Sequence, residues 1–194
     1  MDTRTIKQRL TEFLGASANV HVLARDQLAY INFKKFPIFV VINSSKIAVK
    51  DGHWVALFIY KRWNNSKQEI VSEAWDSYGH SLQYYQIYPN TTVIKQNNKI
   101  YQAAKSNTCG LHAMHFLVSR ACGTSFEDIQ YEMKQSKSQN DEYMKIWYKQ
   151  MVKNYGNCGY CIPGGQNSVC KDKFHAVCYP ISNKKHCNYS RNKI

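Results

Sequence analysis

The sequence predicts an α+β fold, with a central mixed β-sheet flanked by helices and a cysteine at the N-terminus of a buried central helix. Three observations predict it. Three strand-like apolar runs follow one another between residues 36 and 76. Helical patterns are gathered after residue 109, and segregation of strands from helices is the α+β arrangement. Finally, the helical run 109–120 carries Leu111, Met114, Phe116, Leu117 and Val118 with little polar face, so it must be covered on most sides.

The elements follow in order. Residues 3–14 read as a helix capped by Thr3 or Thr5, with Ile6, Leu10, Phe13 and Leu14 in one stripe and Gly15 as its stop. This helix is expected to dock without chemistry. Residues 19–30 read as a connector in which Asp26 could fix a loop. The first strand-like run, 36–43, is β-branched and aromatic with Pro37 near its start. The second, 53–60, is continuously apolar, as expected of a central strand covered on both faces. A polar turn over 61–67 leads to a third run, 69–76, giving a hairpin with a longish loop. Residues 78–88 are tyrosine-rich and could form a short helix. Two short strands are expected at 91–94 and 99–101, then the main helix at 109–120. Two more helices are expected at 125–135, capped by Ser125 or Thr124, and at 139–153. From Gly156 the periodicity ends. The division is a compact domain over 1–155 and a basic, cysteine-rich tail over 156–194.

Composition narrows the function. The hydrophobic fraction of 44% belongs to a globular chain that can bury a core. Lys and Arg number 26 against 13 Asp and Glu, and a formal charge of +13 predicts attraction to polyanions, nucleic acid first. The N-terminus is polar where a secretory signal would be apolar, and the apolar runs are too short to span a bilayer. A soluble, intracellular chain without membrane contact, acting as a monomer, is expected. Seven cysteines cannot all pair within one chain, which fits a reducing compartment.

A thiol at the start of a buried helix sits where backbone N–H groups stabilise a thiolate. Cys109 is therefore the candidate nucleophile. His53, at the start of the central strand, is the candidate base. Asp76, ending the neighbouring strand, is its candidate orienting carboxylate, since antiparallel pairing brings these two ends together. Gln102 and the Cys109 backbone N–H are candidate oxyanion donors. Each residue alone has a blander reading, such as a surface histidine, a turn aspartate or an inert buried cysteine. Four of them in this order on suitable elements point to a cysteine hydrolase.

Gly52-His53-Trp54, Trp75-Asp76-Ser77-Tyr78-Gly79, Gln102 and Cys109-Gly110-Leu111, with the approach 36–43, resemble the adenovirus-type endopeptidase (adenain) family, related to the SUMO-specific proteases. The resemblance covers roughly residues 20–120. The interval of seven from Gln102 to Cys109 resembles the adenovirus type, because SUMO proteases usually have one residue fewer. Asp76 departs from the glutamate common in adenovirus enzymes and matches the SUMO-protease choice. The interval from His53 to Asp76 is longer than in adenovirus enzymes, implying a longer hairpin loop. The resemblance implies an adenain-type fold and a thiol protease from a DNA virus or virus-like DNA transposon. Such an enzyme cleaves capsid and core precursors at small-residue, Gly-containing sites during virion maturation, in the virion and host nucleus. It also implies DNA and an activating viral peptide as partners, with no cofactor needed for the chemistry. The rivals are a protease that deconjugates SUMO-like or ubiquitin-like modifiers, and a non-enzymatic basic nucleic-acid-binding protein with a zinc-bound tail.

Other candidates carry less. His112 and His115 are spaced for a metal, but no carboxylate or third ligand lies near them in sequence, so packing or polar contacts are expected. His80 lacks a strand-edge setting. Cys122 reads as structural. Tyr84, Tyr85, Tyr88 and Tyr101 could line a cleft or stack on bases, but core packing is the commoner use. In the tail, Cys158, Cys161, His175 and Cys178 could hold zinc. The irregular second pair and the leftover cysteine argue against a structural zinc and for free thiols or disulfides. From Lys153 onward seven basic residues face one acid, which makes this stretch the best candidate for contact with nucleic acid.

Overall fold

The computed structural model describes residues 1–155 apart from Phe33, Lys50 and Lys134, with Tyr155 described by its backbone alone. The tail, its candidate zinc ligands and its basic residues lie outside the described residues. Five strands form one mixed sheet in the order β1-β2-β3-β4-β5. They are β1 (Asn19–Ala24), β2 (Ile38–Asn43), β3 (Trp54–Asn64), β4 (Lys67–Trp75) and β5 (Thr92–Gln96). The two outer pairings are parallel and the two inner ones antiparallel. The helices are α1 (Thr3–Leu14), α2 (Cys109–Ala121), α3 (Phe126–Glu132) and α4 (Lys137–Tyr155). Short 3-10 turns cover Arg25–Tyr30 and Leu82–Tyr85.

Strand alternation sorts the core into two layers. Phe39 and Val41 of β2, and Trp54, Ala56 and Phe58 of β3, pack against α1, α2 and residues of α3 and α4. Ile38, Val40 and Ile42, with Val55, Leu57 and Ile59, face the other way onto Leu28, Ile31, Leu82 and Ile87. The central strand is thus covered on both faces, as its unbroken apolar run predicts. The buried face of α2 is nearly the whole helix, from Gly110 through Val118. Trp75, at the end of β4, stacks between Tyr101 and Phe116 with ring centres 5.1 and 5.4 Å apart.

Several expectations are corrected. Residues 19–30 form an edge strand and a 3-10 turn. Asp26 does fix a loop, by accepting the Ile47 N–H at 3.2 Å. The cap of α1 is Asp2, which accepts the Thr5 N–H at 2.8 Å. The hairpin loop is short: β3 and β4 stay paired out to Asn64 and Lys67. Asn65 and Ser66 turn the chain with φ of 46° and 66°, the left-handed pair that a tight hairpin needs. The extra length between His53 and Asp76 therefore lies in the strands, and the outer hairpin extends past the last β2 partner, Ile59. The expected strand at 99–101 does not form, because the N–H groups of Tyr101 and Gln102 both donate to the Ser77 carbonyl. Ser125 caps α3 by accepting the Asp128 N–H at 3.0 Å. Among the described residues no helix is long and apolar enough to cross a membrane.

Candidate active site

β3 and β4 present their residues as the sequence suggests. His53 immediately precedes β3, and its N–H donates to Ser44 Oγ at 2.9 Å. Asp76 immediately follows β4. The two meet through a short hydrogen bond between His53 Nε2 and Asp76 Oδ1. Close approaches at two glycines hold the flanking turns. A Cβ on Gly52 would lie 1.9 Å from Asn43 Oδ1. Gly79 has φ of +71°, and a Cβ there would lie 2.8 Å from the Lys99 backbone.

Asp76 is only 1% exposed, so it needs many donors to remain charged. Oδ1 also accepts the Tyr78 N–H at 2.9 Å. Oδ2 accepts the His80 N–H at 2.8 Å and the Tyr85 hydroxyl at 3.1 Å. Its backbone N–H donates to Asn97 Oδ1 at 2.8 Å, and Asn97 Nδ2 donates back to its carbonyl. Burial pushes the carboxyl up, but the bonds from His53, Tyr78 and His80 outweigh it and leave the group below its ordinary value. The imidazole of His53 stacks on Tyr78, with ring centres 4.6 Å apart, and lies 5.6 Å from Tyr85.

Cys109 is a free, partly buried thiol at the first residue of α2. Burial pushes it up, yet its hydrogen bond with His53 and the backbone N–H groups of Trp54 and Gly110 bring it below the ordinary thiol value. Burial likewise opposes charge on His53, and its bonds to Asp76 and Cys109 raise it to about 9. Both directions favour a thiolate–imidazolium pair. Since Nε2 is held by Asp76, Nδ1 is the nitrogen left for the thiol.

Gln102 is fully buried and held at both ends of its amide. Ser77 Oγ donates to its Oε1 at 2.6 Å, and its Nε2 donates to the Ser106 carbonyl at 2.8 Å. The second amide proton has no partner among the described residues. Ser77 thus ties Gln102 to the residue beside Asp76. Thr108, ahead of α2, makes no side-chain cap. The N–H groups of Leu111 and His112 go to its carbonyl, which leaves the helix N-terminus open at Cys109 and Gly110.

His80 contributes its N–H to Asp76, while its ring stacks on Tyr84 with centres 4.2 Å apart. Core packing holds for Tyr101 but not for Tyr84 and Tyr88, which are both exposed, nor for Tyr85, which serves Asp76. Carboxylates do lie near the two helix histidines, contrary to the expectation from sequence. His112 Nε2 is 3.1 Å from Asp141 Oδ1, and His115 Nε2 is 3.8 Å from Glu132 Oε2. Among the described residues no group of three or more such side chains could hold a metal ion. The sequence did not single out Ser77, Tyr78 and Asn97, and it offered Tyr85 as a cleft residue without its bond to Asp76. Ser77 and Tyr78 lay inside the quoted motif, and their signal was adjacency to Asp76. No family model matches the chain, and no curated protein sequence matches it closely enough to count as a relative.

Proposed function

We propose that the chain is a thiol endopeptidase with an adenain-type fold. On this reading it cleaves capsid and core precursor proteins at small-residue, Gly-containing sites during virion maturation. The observation that carries the reading is the His53–Asp76 pair aligned with a Cys109 thiol that is biased toward thiolate. Cys109 Sγ attacks the scissile carbonyl carbon, and the carbonyl oxygen becomes an oxyanion. That oxyanion takes hydrogen bonds from the Cys109 N–H and Gln102 Nε2. The His53 imidazolium gives its proton to the departing amine as the C–N bond breaks, leaving a thioester. Water, deprotonated by His53, then attacks the thioester, and the thiolate leaves. Asp76 holds the imidazole in one orientation throughout. The small residues of the substrate suit a site crowded by Trp54, Tyr78 and Tyr85. The charge of +13 makes DNA a candidate partner.

Deconjugation of a SUMO-like modifier is the second reading, favoured by the aspartate at position 76. The test incubates the protein with capsid precursors and with a SUMO-tailed substrate, each with and without DNA, alongside Cys109→Ala. Cleavage of the precursors that is absent in Cys109→Ala supports the first reading, and cleavage of the tailed substrate alone supports the second. If neither is cut and a thiol-reactive peptide probe labels other cysteines as readily as Cys109, the protease reading fails.

A further inference from the structure

Residues 103–108 separate the two oxyanion donors of the proposed site, and both ends of this segment meet one buried carboxylate on a distant helix. Asp141, in the first turns of α4, is 5% exposed. Its Oδ2 accepts the Ala103 N–H at 3.0 Å, one residue after Gln102. Its Oδ1 accepts the Thr108 hydroxyl at 2.5 Å, one residue before Cys109. The same Oδ1 accepts from His112 Nε2, one turn into α2, at 3.1 Å. Inside the span, Ser106 Oγ meets Thr108 Oγ1 at 2.7 Å, and the Ser106 N–H donates to the Ala103 carbonyl. Beside Asp141, Asn140 Nδ2 donates to the Tyr101 carbonyl at 3.1 Å.

We propose that Asp141 is a positioning residue, a carboxylate clamp that fixes the Gln102 amide and the Cys109 N–H at the separation an oxyanion requires. A charged acceptor suits this task because each oxygen takes a strong hydrogen bond from a different end of the loop. It also occupies the Thr108 hydroxyl, which cannot then turn to cap the helix N-terminus beneath the thiol. The inference rests on the thiol-protease reading.

The test separates a step that needs the oxyanion donors from one that does not. A peptide ending in glycinal adds to Cys109 by forming a C–S bond, and its aldehyde oxygen enters the oxyanion position. Iodoacetamide alkylates the thiolate without generating an oxyanion. In Asp141→Asn the amide offers one accepting oxygen and turns an N–H toward the other end of the loop. Affinity for the glycinal peptide should fall about tenfold or more. Alkylation at Cys109, followed by mass spectrometry, should stay within about twofold. Thr108→Val removes one tether only, should lose affinity in the same direction by less, and decides the matter if Asp141→Asn does not fold. Unchanged aldehyde affinity in a folded variant would overturn the clamp, and so would an equal loss in both reactions, which marks a general structural role. If the wild type neither binds the aldehyde nor is alkylated preferentially at Cys109, the protease reading fails and the clamp falls with it.

Discussion

Asp76→Asn isolates the charge on which the proposed site depends. The Asp76 carboxylate serves four donors, and two of them are backbone N–H groups on different oxygens: Tyr78 on Oδ1 and His80 on Oδ2. Whichever way an asparagine sits, its NH₂ faces one of these obligate donors, and in both orientations His53 loses its negative partner. The bonds to Asp76 and Cys109 together raise His53 from 6.5 to about 9, about 3 kcal/mol in favour of the imidazolium or roughly three-hundredfold in its population, and Asp76 supplies the first share of it. Lost orientation adds to this, and loss of the carboxylate in a related triad costs about 10⁴ in turnover. The assay is the pH dependence of Cys109 alkylation by iodoacetamide, read at the Cys109 peptide. The wild type should react below the ordinary thiol range, and the variant should need a higher pH, because the weakened imidazolium no longer offsets the burial that pushes the thiol up. The sign for stability follows from the raised histidine. Its contribution is complete below pH 6.5 and is lost as pH rises through about 9. The gap in thermal stability between wild type and variant should therefore be wide at pH 6 and narrow at pH 10. A variant that keeps the wild-type alkylation profile would refute this account of the site.

Three further outcomes are expected. Gly52→Ala puts a methyl 1.9 Å from Asn43 Oδ1 and 2.8 Å from Ser45 Oγ. It should cost about 1–3 kcal/mol in chemical denaturation and slow Cys109 alkylation by moving His53. Met114→Ala, at a fully buried position in the middle of α2, should cost about 2–5 kcal/mol in urea unfolding. Glu132→Gln should stabilise the protein at pH 8, on the order of 1–2 kcal/mol by thermal melting, and have little effect at pH 4. Burial, with nearby Asp128, raises Glu132 to about 7, so its ionisation weakens the fold as pH rises from 4.5 through 7.

The dyad and the thiol were legible because their signals are local. An unbroken apolar strand, its antiparallel neighbour and an apolar helix each end at a polar residue that has little other reason to be there. The sheet was less legible at its margins. β1 is an edge strand whose residues are mostly half-buried, so its alternation is weak. Lys61, Arg62 and Lys67 read as a turn because they are polar, yet that part of the hairpin projects beyond β2, where polarity does not argue against a strand. The carboxyl cluster around Thr108 was illegible because Asp141 is 33 residues away along the chain. A faint signal existed. Asn140 and Asp141 fall at helical spacing on the side of α4 that carries Met144, Trp147 and Met151, and polar residues on an apolar stripe call for buried partners.

The proposed site straddles the sheet and the helical layer that packs on one of its faces. His53 and Asp76 belong to the sheet and are joined through one hairpin ladder. Cys109, the helix N-terminus and the Gln102 loop belong to the helical layer and are anchored on α4. Hydrogen bonds from Ser77 to Gln102, and from the Tyr101 and Gln102 N–H groups to the Ser77 carbonyl, tie the two parts together, and the thiol-to-imidazole contact depends besides on the packing of Trp54, Ala56 and Phe58 beneath α2. Proteins open sub-globally at free energies below that of global unfolding, so docked elements can separate before either unfolds. Cys109 reactivity thus becomes a gauge of docking between the sheet and the helical layer. On heating, or with mild denaturant, Cys109 reactivity should decay while the circular dichroism of the strands and helices is still intact.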